Sequence, residues 1–174
     1  MITVISGTNR PDSKTRAIVE LYVNLLQSKG VAYQILDLVN LPEDFTIKAL
    51  YEYTGKHEEF NKLSNMIAQS EKFVFIVPEY NGSFPGVLKT FIDGLDYPYT
   101  FKDKKAALVG VSSGMQGGLL ALSHLTDIFN YLGMHVLAQK VKLAFISKNF
   151  DGTNITNQLY KDLLDQQVES FLKF

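Results

Sequence analysis

Residues 2–30 read ITVISGTNRPDSKTRAIVELYVNLLQSKG. An apolar, β-branched run from Ile2 to Ser6 gives way to a polar loop from Gly7 to Thr15. Beyond it, apolar residues recur at Ala17, Ile18, Leu21, Tyr22, Leu25 and Leu26, a helical spacing that ends near Gly30. The switch from an unbroken apolar run to a 3.6-residue period marks a buried strand followed by an amphipathic helix, one βα unit. The unit repeats along the chain. Further strands are expected at Ala32–Leu36, Lys72–Val77, Ala106–Val111 and within Val136–Ile146. Helices are expected where Val87, Leu88, Phe91, Ile92 and Leu95 recur, along Leu119 to Leu132, around Glu58 to Ser70, and from Leu159 to Phe171. Strands that are apolar on both faces need helices on both sides, so the chain reads as a three-layer, doubly wound α/β fold with a five-stranded parallel sheet and a single domain over 1–174. The connection Leu38–Lys56 is too long for a turn, and its Phe45, Tyr51 and Tyr53 are expected to pack on the protein's own surface.

In a parallel α/β sheet a ligand sits beyond the carboxyl ends of the strands. Three polar loops fall there. Gly7–Thr15 offers hydroxyls, the Arg10 guanidinium and the free amides of a helix N-terminus, an anion site of phosphate size. It matches neither G-x-G-x-x-G nor a Walker loop, and with one glycine its side chains suit a terminal monophosphate better than a bridging pyrophosphate. Helix capping by Ser13 or Asp12 is the plainer use of the same residues. Pro78–Gly86 (PEYNGSFPG) is restricted by a proline at each end, which would hold the amides of Glu79 to Ser83 in a fixed shape for a flat polar heterocycle. Ser112–Gly118 (SSGMQGG) holds three glycines in seven residues, which would let a planar group approach the backbone.

Composition removes several classes. The 174 residues carry 17 Lys+Arg against 18 Asp+Glu, a net charge of −1 that lacks the clustered basic excess of a nucleic-acid or membrane-surface protein. Cysteine is absent, so redox chemistry would need an organic cofactor and no thiolate can ligate a metal. No leader-like N-terminus and no membrane-length apolar stretch appears, and a cytoplasmic protein is expected. His57, His124 and His135 have no metal-ligand spacing, and His124, on an apolar helix, is expected in the core or an interface. A phosphoryl-receiver reading fails because Ser6 and Pro78 stand where its acidic residues would close the first and third strands.

The loop GTNRPDSKT and above all PEYNGSFPGVLKTFID, Pro78 to Asp93, resemble the NADPH-dependent FMN reductases of flavodoxin-like fold, and the resemblance runs the length of the chain. It implies a strand order 2-1-3-4-5, bound FMN, NADPH or NADH as hydride donor, a small-molecule electron acceptor such as a quinone, and a homodimer or tetramer. It further implies a phosphate loop of Thr8, Arg10, Ser13 and Thr15. Pro78, Glu79, Tyr80, Asn81 and Gly82 would run along the flavin, and Ser112, Ser113 and Gly114 would form a third wall. No catalytic side chain and no metal are implied. Asn9 and Lys14 depart from the more usual serine-rich loops of that family. The alternatives are a non-catalytic electron carrier of flavodoxin type, for which a marked acidic excess is expected, or a flavin-binding sensor.

Overall fold

β1 (Ile2–Ser6) lies inside the sheet, parallel to β2 (Tyr33–Asp37) on one side and to β3 (Lys72–Pro78) on the other. The structure is a computed structural model describing residues 1–174. β3 pairs with β4 (Lys105–Val111), beyond which lie β5 (His135–Val136) and β6 (Val141–Leu143), all parallel. The order is β2-β1-β3-β4-β5, with β6 also on β4, which is the flavodoxin-like arrangement expected from the sequence.

Alternation along the strands divides the interior into two layers. Val4, Val74, Ile76 and Val109 face α1 (Lys14–Ser28) and α7 (Gln158–Lys173). Ile5, Phe73, Phe75 and Leu108 face α3 (Glu58–Ala68), α4 (Gly86–Asp93) and α5 (Leu119–Tyr131). The second layer is aromatic: Phe75 lies 4.5 Å from Phe129 and 6.3 Å from Phe101, ring centre to ring centre. On α1 the buried face is Ile18, Val19, Tyr22, Val23 and Leu26, rotated from the expected stripe, while Ala17, Leu21 and Leu25 are only partly covered. Val19 and Val23 extend the apolar arc, and the sheet selects the β-branched side of it.

The fifth strand, expected as one element within Val136–Ile146, is broken. Val136 pairs with Ala106 and Val141 with Val109, so four edge residues oppose two of β4 and bulge outward. Buried Gln167 of α7 replaces the lost ladder bonds, donating from Nε2 to Leu108 O at 3.0 Å and Gln139 O at 2.9 Å. Its Oε1 accepts from the Tyr22 hydroxyl at 3.3 Å. In the Leu38–Lys56 connection, α2 (Phe45–Lys48) packs as expected through Phe45, stacked 5.8 Å from Phe60, whereas Tyr51 and Tyr53 stay exposed. No helix is long and apolar enough to cross a membrane.

Candidate functional site

The loops that follow β1, β3 and β4 converge on a cavity of about 310 Å³ at the carboxyl end of the sheet, within the range of small-ligand sites. Arg10, Ser13, Thr15, Pro78, Glu79, Tyr80, Ser112 and Ser113 all line it. Thr8, Asn81, Gly82 and Gly114 belong to the same loops but not to the cavity wall.

In the first loop Ser13 takes the extended conformation and its Oγ accepts from Arg16 N at 3.2 Å, capping α1 as the plainer reading has it. The same residue faces the cavity beside Arg10 and the buried Thr15. The first turn of α1 holds no acidic side chain; on the cavity wall beside it Arg10 and Lys14 stand against one carboxylate, Asp12, so the amides at the helix start meet a wall of net positive charge. Buried Thr8 sets the loop's path: its Oγ1 accepts from Arg10 N at 3.2 Å and lies 3.1 Å from the Tyr80 hydroxyl, tying the first loop to the second.

Glu79 N donates to Val111 O at 3.0 Å, continuing the β3–β4 ladder past the strand. The chain then reverses within Tyr80–Ser83, where Tyr80 N bonds Ser83 O at 2.8 Å and Ser83 N returns to Tyr80 O at 3.0 Å. Asn81 and Gly82 have φ of 51° and 75°, the conformation that makes Asn-Gly favourable in a type I′ turn. Ser83 Oγ lies 2.9 Å from His124 Nδ1 of α5. His124 is therefore an exposed partner of this turn in the protomer, which removes the core from the two places expected for it, the core or an interface. Glu79 Oε2 is buried without a hydrogen-bond partner.

The third loop is fastened to the chain after β6, with Ser112 N donating to Leu143 O at 3.1 Å and Ile146 N to Ser112 O at 3.0 Å. Two of its three glycines act differently from expectation, while a Cβ on Gly114 would meet only Ser112 Oγ, at 3.5 Å. A Cβ on Gly117 would fall 2.9 Å from Lys142 Cβ and one on Gly118 3.0 Å from Gly110 Cα, so these glycines serve close packing of the loop on the sheet, not the approach of a ligand. The fastening also brings Ile146 and Ser147 of α6 (Ile146–Asn149) into the cavity wall, where Lys14 Nζ donates to Ser147 Oγ at 2.7 Å. These wall residues carry no sequence signal, because the stretch reads as the end of a strand.

Three of the five non-glycine residues with positive φ, Asp12, Asn81 and Phe145, belong to the segments around this cavity. Backbone strain of this kind concentrates where geometry serves a ligand. A larger cavity of about 670 Å³ lies elsewhere, between α4 and α5, with Tyr97, Tyr131 and Ile92 in its wall.

The chain is similar to several known proteins. A quinone reductase of Pseudomonas putida is 27% identical over 98% of this chain and 91% of its own length. An FMN-dependent NADPH-azoreductase of Staphylococcus aureus is 29% identical over 97% of this chain and 93% of its own. The solved structure of the flavoenzyme NAD(P)H:(acceptor) oxidoreductase FerB from Paracoccus denitrificans superposes with a TM-score of 0.81 at 23% identity, covering 99% of this chain and 94% of that one, a likeness of fold. The family model for NADPH-dependent FMN reductases matches residues 1–147, a span that holds every loop of the cavity, and the chain belongs to that family.

Proposed function

We propose that this flavin-dependent NAD(P)H oxidoreductase holds FMN in the cavity between its three strand-end loops. The observation that carries the assignment is the pairing of opposite chemistries within one cavity. At one end stand Arg10, Lys14, Ser13, Thr15 and the start of α1; the two cations outnumber the single Asp12 carboxylate there, and the group fits a phosphate dianion. On another wall the buried Glu79 Oε2 has no donor, and a ribityl hydroxyl or a ring N–H would supply one. The chemistry that FMN brings when bound is two-electron transfer, with hydride from NAD(P)H and electrons passed to a small oxidised acceptor of the quinone or azo class.

The residues' part is positional. Arg10 and the hydroxyls fix the phosphate end, the Tyr80–Ser83 turn fixes the height of the second loop, and Ser112 and Ser113 close the far side. Thr8, Asn81, Gly82 and Gly114 act behind this wall by holding the loops in place. None of these roles requires a side-chain acid or base. A second copy of the chain is the proposed cover for the exposed Leu119, Leu120, Tyr97 and Tyr131 along α4 and α5. A cytoplasmic location, where NAD(P)H is at hand, accompanies this reading.

The test joins spectroscopy with one substitution. Reconstituted protein should show flavin absorbance and oxidise NAD(P)H when a quinone is added. Arg10→Ala should weaken FMN binding by about 1.5–3 kcal/mol in a fluorescence titration, as expected for a lost charge-assisted hydrogen bond. Unchanged affinity would remove the first loop from the site.

A further inference from the structure

On the other side of the third loop lies a separate cavity of about 360 Å³, between α5 and the bulged edge of the sheet. Its wall carries Lys140, Lys142, Ser123, Thr126 and a single carboxylate, Asp127. We propose that this cavity receives the 2′-phosphate of NADPH and gives the enzyme its preference for NADPH over NADH. The inference rests on the flavin assignment above, because the dinucleotide must reach both places.

The charges are arranged for an anion. Two lysines and one carboxylate line the wall, and Lys140 Nζ has the Leu137 carbonyl, at 3.4 Å, as its partner in place of an acid. Burial pushes the Lys140 ammonium below its ordinary range, a cost that an arriving phosphate would reverse. The bulge is what turns this segment into a wall, since a regular fifth strand would leave no outward loop of chain between Val136 and Val141.

Position supports the same ligand. Lys142 packs against Gly117, and Leu143, its neighbour, accepts from Ser112 N at 3.1 Å on the rim of the flavin cavity. From Leu143 back to Lys140 is about 10 Å of extended chain at ~3.3 Å per residue. A dinucleotide with its nicotinamide at the flavin cavity would have that length of chain to cross around the loop. Lysines on an edge strand also discourage strand pairing between molecules, which is the competing explanation.

Steady-state kinetics on the flavin-loaded protein separate the two. In the double variant Lys140→Gln, Lys142→Gln, KM for NADPH should rise by about tenfold or more, the scale of a lost charge-assisted contact. KM for NADH, kcat and the flavin spectrum should stay as they were. Asp127→Asn should move the NADPH value the opposite way, and it keeps the proposal testable should the double variant fold poorly. By calorimetry, 2′,5′-ADP should bind the unaltered protein and lose affinity in the double variant, while 5′-ADP and inorganic phosphate at the same concentration should bind far more weakly.

Equal changes with both donors, no change with either, or 2′,5′-ADP binding that ignores the lysines would overturn the proposal and leave an edge guard. Binding of inorganic phosphate as tight as that of 2′,5′-ADP would overturn it as well. Failure of the flavin assignment would look different: the unaltered protein would then show neither flavin absorbance nor NADH turnover.

Discussion

Gly82 stands at φ 75° beside Asn81 at φ 51°, and the second loop takes its shape from this pair. A Cβ on Gly82 would meet only Leu120 Cδ1, at 3.8 Å, so space is not what requires glycine there; the backbone is. A left-handed residue costs roughly 1–2 kcal/mol for an L side chain and more for a β-branched one. Gly82→Val should therefore weaken both flavin binding and turnover, whereas Gly82→Asn, a residue that tolerates this region, should recover most of each in the same titration. Glu79 should behave otherwise. Hydride passes without a side-chain proton in the same step, so Glu79→Gln should slow flavin reduction in stopped-flow by less than the ~10²-fold loss expected for a general acid or base. Its affinity for FMN should fall, because the lone acceptor oxygen Oε2 is disturbed. A large rate loss with full flavin occupancy would make Glu79 catalytic.

At the scale of elements, the break between β5 and β6 depends on one side chain. Gln167→Leu leaves the carbonyls of Leu108 and Gln139 without their donor and the Tyr22 hydroxyl without its acceptor. Burial raises the Tyr22 pKa, so the hydroxyl remains a donor that needs a partner. Urea unfolding should register a loss of about 1–3 kcal/mol, the cost of unsatisfied buried groups, and an unchanged midpoint would show that the bulge closes without Gln167. This region also marks where sequence reading stops. The first four strands were legible because runs such as Phe73–Val77 are apolar throughout, and the loops after them because their polar and glycine content interrupts those runs. The stretch Leu137–Ile146 is apolar apart from Gln139, Lys140 and Lys142, which fit an edge strand as well as a bulge, and nothing local in it reveals that Gln167, from a helix far along the chain, holds it open. Ile146 and Ser147 in the cavity wall were hidden for the same reason. For His124 periodicity left the core and an interface open, because it places a helix face without saying which edge of it lies beside a neighbouring turn.

For the whole molecule, the unsettled surface is the side formed by α4 and α5. Apolar spacing along Leu119 to Leu132 exceeds one stripe, and the structure leaves Leu119 and Leu120 at 46% and 43% exposure. Tyr97 and Tyr131 stack 6.5 Å apart in the open, with the 670 Å³ cavity beside them. Exposed apolar groups of this kind on one protomer are suited to burial against another, and a twofold pairing would cover the same residues on both copies. Light scattering at micromolar concentration should give twice the 19.6 kDa chain mass or a higher even multiple. Tyr131→Asp, which places a charge in the centre of the patch, should shift the protein toward the single-chain mass. The patch reaches the flavin loops, since Leu120 adjoins Gly82 and His124 holds Ser83. Separation of the copies should therefore loosen the Tyr80–Ser83 turn, and FMN affinity in the Tyr131→Asp protein should fall together with its mass. A 19.6 kDa species in the unaltered protein, with full flavin affinity, would show that the face is left open and that one chain completes the site.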